Sequence, residues 1–113
     1  MTPQQFSAVI GYIESGGNYQ RWGDAGRAMG RFQMHPDEMW TWAHRLTIAP
    51  ELNETWDSFI ERLVEAFYSF HLATLAPVEV AMTYHEGHVV KEGDPSWDAQ
   101  YAQKFNAAAA GLV

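Results

Sequence analysis

Glu14 stands in the stretch Ile13-Glu14-Ser15-Gly16-Gly17, where an amphipathic pattern runs into two glycines. A carboxylate in the last turn of a helix faces the negative end of the helix dipole, which disfavours its ionised form. Such a group is a candidate general acid, able to hold a proton and give it to a leaving atom. A second carboxylate, Asp24, follows in Gly23-Asp24-Ala25-Gly26. Paired acids are suited to splitting glycosidic bonds, one donating the proton while the other acts as nucleophile, base or charge stabiliser. Aspartate beside glycine is equally the chemistry of a tight turn, so Asp24 stands evenly between the two roles.

Two further polar groupings need weighing. His85-Glu86-Gly87-His88 sets its histidines three apart with a helix-breaking glycine between them, which is not the spacing of a His-Glu-x-x-His zinc helix. His71 lies inside an apolar stripe and reads as a buried histidine. With no cysteine in the chain, thiolate ligands and disulfides are excluded. No metal and no cofactor are expected.

The elements that must position these residues follow from local signals. Thr2 is a suitable N-cap with Pro3 behind it, and Phe6, Val9, Ile10 and Ile13 form one helical stripe. Glu14 falls about 40° from Ile10 at about 100° per residue, which predicts half-burial at the stripe's edge. Five glycines between Ser15 and Met34 mark turns and a short hairpin. A second helix is expected from Pro36 to Leu46, with Asp37 and Glu38 in its first turn. A long helix is expected from Glu54 to Leu75. Its apolar face of Trp56, Phe59, Ile60, Leu63, Val64, Phe67 and Phe70 is broad enough for a central helix. Pro77 opens a shorter helix ended by Gly87, and Gly111 closes a last one. Trp56 reads as core, and Trp40, Trp42 and Trp97 as packing residues.

The length of 113 residues supports one domain, residues 1–113, burying roughly two-thirds of its unfolded surface. With 47% apolar and 14% aromatic residues it reads as a globular chain. Seven basic against fourteen acidic residues give a net charge of −7, which argues against nucleic acid as a partner. There is no apolar run long enough to insert across a membrane, and the start Met-Thr-Pro-Gln-Gln lacks the basic, then apolar character of a secretory signal.

In order and context, Glu14-Ser15, Gly30-Arg31-Phe32-Gln33 and Ala81-Met82-Thr83-Tyr84-His85-Glu86-Gly87 resemble the lysozyme-like superfamily, especially its soluble lytic transglycosylase and goose-type lysozyme branch. That branch carries a catalytic glutamate followed by serine at a helix end, then Gly-x-x-Gln, then Ala-x-Tyr-Asn-x-Gly. Here the third segment has one extra residue after its alanine, and His85 replaces the asparagine. The resemblance implies a mainly α (α+β lysozyme-like) fold, with helices around a central long one and a minimal β-hairpin or Gly-rich region. It implies cleavage of the β-1,4 bond between N-acetylmuramic acid and N-acetylglucosamine in peptidoglycan, with Glu14 as acid and Asp24 resembling a second acid. Gly30, Gln33 and His85 would line the sugar cleft, with Ser15 and Tyr84 grouped beside them: Ser15 caps the turn or supports Glu14, and Tyr84 is either a core tyrosine or sets its hydroxyl near Glu14. Tyr19 and Trp22, each with an apolar face and a polar edge, are the candidates for stacking on sugar rings.

Hydrolysis and lytic transglycosylation both remain open, since the latter needs no second carboxylate. The implied setting is the bacterial wall or periplasm, reached through a pore, a phage tail or a secretion system. An inhibitor or immunity protein is a second candidate partner. The rival reading is a lysozyme-fold module that has lost catalysis and binds wall glycan or a protein.

Overall fold

The computed structural model describes residues 1–17, 22–23 and 28–111, the side chain of Trp22 excepted. Among them are five helices and one two-stranded sheet: α1 (Pro3–Ser15), β1 (Trp22–Gly23), β2 (Ala28–Met29), α2 (Pro36–Leu46), α3 (Trp56–His71), α4 (Pro77–Glu86) and α5 (Ala99–Ala110). The fold is therefore mainly helical, as the periodicity predicts. β1 and β2 pair antiparallel, Trp22 with Met29 and Gly23 with Ala28, and Met29 also bridges to Met34. The segment 30–33, which could have continued as a strand, is instead a turn between β2 and that bridge.

Helix starts follow the chemistry of their first residues. The Thr2 side chain accepts from the Gln5 amide at 3.1 Å while Gln5 Oε1 accepts from the Thr2 amide at 2.8 Å, a reciprocal cap ahead of Pro3. Asp98 accepts from the Gln100 and Tyr101 amides, both at 3.1 Å, and starts α5. Thr55 caps α3 by accepting from Ser58 at 3.1 Å. That cap shortens α3 relative to the expected Glu54 start. Glu54 stays outside the helix, where its carboxylate accepts from Arg62 Nε at 2.8 Å and Nη2 at 2.6 Å. At the other end, the amides of Thr74 and Leu75 both turn back to the His71 carbonyl, so α3 stops short of Leu75.

α3 packs against α1, α2 and α4, and α5 lies on α1 and α4. Phe6 of α1 stacks on Tyr68 of α3 at 4.5 Å, in a core that also holds Ile10, Phe59, Leu63, Val80 and Phe105. The radius of gyration, 13.4 Å, agrees with about 13 Å for a compact chain of this length.

The apolar face of α3 is not buried throughout. Trp56 and Phe70 are each 58% exposed, so Trp56 is not a core residue. Tyr68 and His71 take the buried positions instead, because α1, α2 and α4 cover a narrower arc of α3 than its apolar residues span. Trp40 is also half in solvent, set edge-on to Trp56 at 5.9 Å. Trp42 and Trp97 do pack against the core.

Candidate active site

Gly16 and Gly17 end α1 in the left-handed region, at φ 67° and 81°. Their amides close back onto the Tyr12 and Gly11 carbonyls at 2.8 and 3.2 Å. Glycine takes this geometry without steric cost, so the helix stops with Glu14 in its final turn. The side chain is half-buried, on the edge of the stripe.

A hollow of about 260 Å³ opens beside it, lined by Glu14, Gln33, His35, Glu38, Tyr84 and His85 among others. Three segments distant in the chain thus meet: the end of α1, the turn after β2 and the end of α4. The turn is fastened from both sides. The buried Ser15 hydroxyl lies 3.0 Å from the Gly11 carbonyl and 2.6 Å from that of Arg31. Tyr84 donates its hydroxyl to the Phe32 carbonyl at 2.7 Å. Arg31 pairs with Asp57 at 3.2 Å and with Glu61, which ties the turn to α3.

Gln33 holds an uncommon backbone for a non-glycine residue, φ 50°, and its Nε2 donates to the Gly30 carbonyl at 2.7 Å. Its amide presses against β1. A Cβ on Gly23 would stand 2.2 Å from Gln33 Oε1, so glycine there makes room for this side chain.

A residue the sequence did not single out completes the group. Tyr101 of α5 donates its hydroxyl to Glu14 Oε2 at 2.9 Å, and its ring stacks on His85 at 3.9 Å with 11° between planes. His85 Nε2 lies 3.3 Å from Asp98 Oδ2, the carboxylate that caps α5. Burial, then the Glu14 charge, pushes the Tyr101 phenol far above its usual range. Burial, with Glu14 and Glu38 behind it, raises Tyr84 likewise. Both phenols therefore stay protonated donors throughout the physiological range. Glu38 is the other omission: its place in the first turn of α2 fits the helix dipole, and nothing local shows that it also borders the hollow.

The expected site residues are distributed as follows. Glu14, Gln33, Tyr84 and His85 share the hollow. Ser15 lies buried with its hydroxyl between two carbonyls, so of its expected roles it takes that of holding the turn and not a place at the hollow. Gly30, at φ 64°, does not border the hollow and acts through the carbonyl that holds Gln33. Tyr19 and Asp24 fall outside the described residues, as does the side chain of Trp22. In the 85–88 stretch, His88 turns to Ser96 Oγ at 3.2 Å, and Asp98 joins His85 and Glu86 instead. Their ligand atoms lie within 4.8 Å of one another, His85 exposed and the two acids half-buried.

No family model, no curated protein and no solved structure matches the chain.

Proposed function

We propose that this chain is a lysozyme-like domain that cleaves peptidoglycan glycan strands at the β-1,4 bond between N-acetylmuramic acid and N-acetylglucosamine. The observation that carries the reading is the meeting of Glu14, Gln33 and Tyr84 at one hollow. Half-burial and the negative end of α1 both disfavour charge on Glu14, which suits a proton donor. Glu14 would protonate the leaving oxygen as the sugar takes on oxocarbenium character. Two completions are consistent with the hollow. Water, activated by a second carboxylate, attacks the sugar and gives hydrolysis; Glu38 borders the hollow, and Asp24 is the other candidate. Alternatively the sugar's own C6 hydroxyl attacks, Glu14 takes back that proton, and a 1,6-anhydro end forms. Gln33 would hold the sugar by amide hydrogen bonds.

Peptidoglycan is the partner in this reading, with delivery through a pore, a phage tail or a secretion system. Repulsion between a net charge of −7 and an anionic wall is screened beyond about 8 Å at physiological salt.

One observation favours a second reading. The Tyr101 hydrogen bond to Glu14 stabilises the carboxylate, which a glycan-binding module without catalysis could use as well. Glu14→Gln separates the two. Purified protein is expected to release soluble muropeptides, and the variant to be slower by about 10²–10⁴-fold with its thermal midpoint kept. Equal rates would remove Glu14 from the chemistry, and no release by either protein would favour the binding module. Mass spectrometry of the products distinguishes the completions, because anhydro ends are lighter by one water.

A further inference from the structure

The corner where α4 passes into α5 gathers three metal-ligating side chains. His85 and Glu86 close α4, and Asp98 caps the start of α5. His85 Nε2 lies 3.3 Å from Asp98 Oδ2 and 3.9 Å from Glu86 Oε1, and the three donor atoms all fall within 4.8 Å of one another. Among the described residues this is the one such grouping of three. Local spacing predicts no metal here, because His85 and His88 stand three apart around Gly87. Gly87, at φ 82°, ends the helix and His88 turns to Ser96 Oγ. The third donor comes instead from α5, thirteen positions after His85.

We propose that His85 Nε2, Glu86 Oε1 and Asp98 Oδ2 form a three-ligand site for a divalent transition metal, with zinc the best fit. Zinc takes imidazole nitrogen and carboxylate oxygen at about 2.0–2.2 Å, so neighbouring donors of a tetrahedral site stand about 3.4 Å apart. His85 and Asp98 already hold that separation, and Glu86 reaches it by a small side-chain rotation. The metal would replace the His85–Asp98 hydrogen bond, with the imidazole neutral. Two carboxylates balance its double charge, and a chain of net charge −7 attracts cations from solution.

Two of the ligands are oriented by contacts outside the set. Asp98 Oδ1 accepts from the Gln100 and Tyr101 amides, both at 3.1 Å, while Oδ2 faces His85. The His85 ring is stacked on Tyr101 at 3.9 Å. Such outer support fixes a metal ligand before the metal arrives. Calcium takes about six to eight oxygens, more than this set supplies, whereas imidazole suits zinc. Because His85 also borders the Glu14 hollow, the metal would sit on its rim. It would tie the end of α4 to the start of α5, the helix that carries Tyr101.

Calorimetry with zinc chloride on the full chain, with the histidine imidazole nitrogens followed by NMR, tests the site. One equivalent is expected to bind and to shift the His85 signals, and the thermal midpoint to rise with zinc concentration. His85→Asn, Glu86→Gln and Asp98→Asn should each weaken binding by at least about tenfold. Asparagine is itself a good N-cap, so Asp98→Asn keeps the start of α5 while removing the charge. Glu86→Gln, at the end of α4, carries the test if either of the other two fails to fold. His88→Ala should leave the affinity as it is. Absence of binding, unchanged affinity in the ligand variants, or shifts confined to other histidines overturns the proposal. Calcium competing on equal terms also overturns it, since that marks an unselective acidic surface.

Discussion

The Tyr101 hydroxyl and the Glu14 carboxyl meet at 2.9 Å, and a hydrogen bond given to a carboxylate favours its charged form. Taking the hydroxyl away therefore raises the pH at which Glu14 loses its proton. In Tyr101→Phe the alkaline limb of the pH–rate profile of the proposed cleavage is expected to move upward. A limb that stays in place would show that another group sets it. Gln33 is positioned as tightly by contact. Gly23→Ala would push a methyl into its amide and displace it, lowering kcat/KM by up to about 10²-fold, with the thermal midpoint nearly unchanged. Steady-state kinetics beside a melting curve checks both halves of that expectation.

At the scale of elements, the site depends on fastening the turn after β2 to α1, α3 and α4. Ser15 is the buried fastener on the α1 side. Ser15→Ala removes a hydroxyl held by two carbonyls and is expected to cost about 1 kcal/mol. That corresponds to a thermal midpoint lower by about 4 °C or more. If Ser15 instead touched the substrate, the variant would raise KM with no loss in the melt. Tyr84 and the Arg31–Asp57 pair hold the same turn from α4 and α3, so the α1 tie is one of three. The variant should therefore loosen the turn without unfolding it.

Over the whole molecule, His71 and Glu54 are two of the groups that link stability to acid, and the depressed Glu79 and Asp98 carboxylates add to the loss in stronger acid. His71 is buried beside Arg45, and its pKa lies below the ordinary 6.5. The unfolded chain then binds that proton more readily than the folded one. The contribution is full above pH 6.5 and declines as the pH falls through that value. Glu54 is a strongly depressed carboxylate: hydrogen bonds from Arg62, then from the Glu51 amide, hold its pKa at about 2 against 4.5. Its contribution is present above 4.5 and is lost as the pH falls toward 2. Urea unfolding across the acid range should show two successive losses, with His71→Phe removing the earlier and Glu54→Gln reducing the later, to which Glu79 and Asp98 also contribute. A single loss near pH 4 in the wild type would contradict the His71 assignment.

What the sequence determined by itself is local. The starts at Thr2-Pro3, Pro36 and Pro77, the stops at Gly16 and Gly87, and the half-buried rank of Glu14 are all decided by residues within one or two turns. Periodicity found the core face of α3 but not its limits, since covering Phe59 and leaving Trp56 and Phe70 open depends on where α1, α2 and α4 cross it. The Thr55 cap fixes the start of α3 at Trp56, where the apolar pattern itself begins, so that start was within reach of local signals. Gln33 and Tyr84 carried a motif, whereas Tyr101 and Glu38 carried only the stripe of one helix and the dipole of another. Tyr101 stands 87 positions from Glu14 in the chain, and no local pattern encodes a hydrogen bond across that separation. Only the packing of α5 on α1 and α4 brings its hydroxyl to the carboxylate, because side-chain reach is a few ångströms and the helix axes set what lies within it.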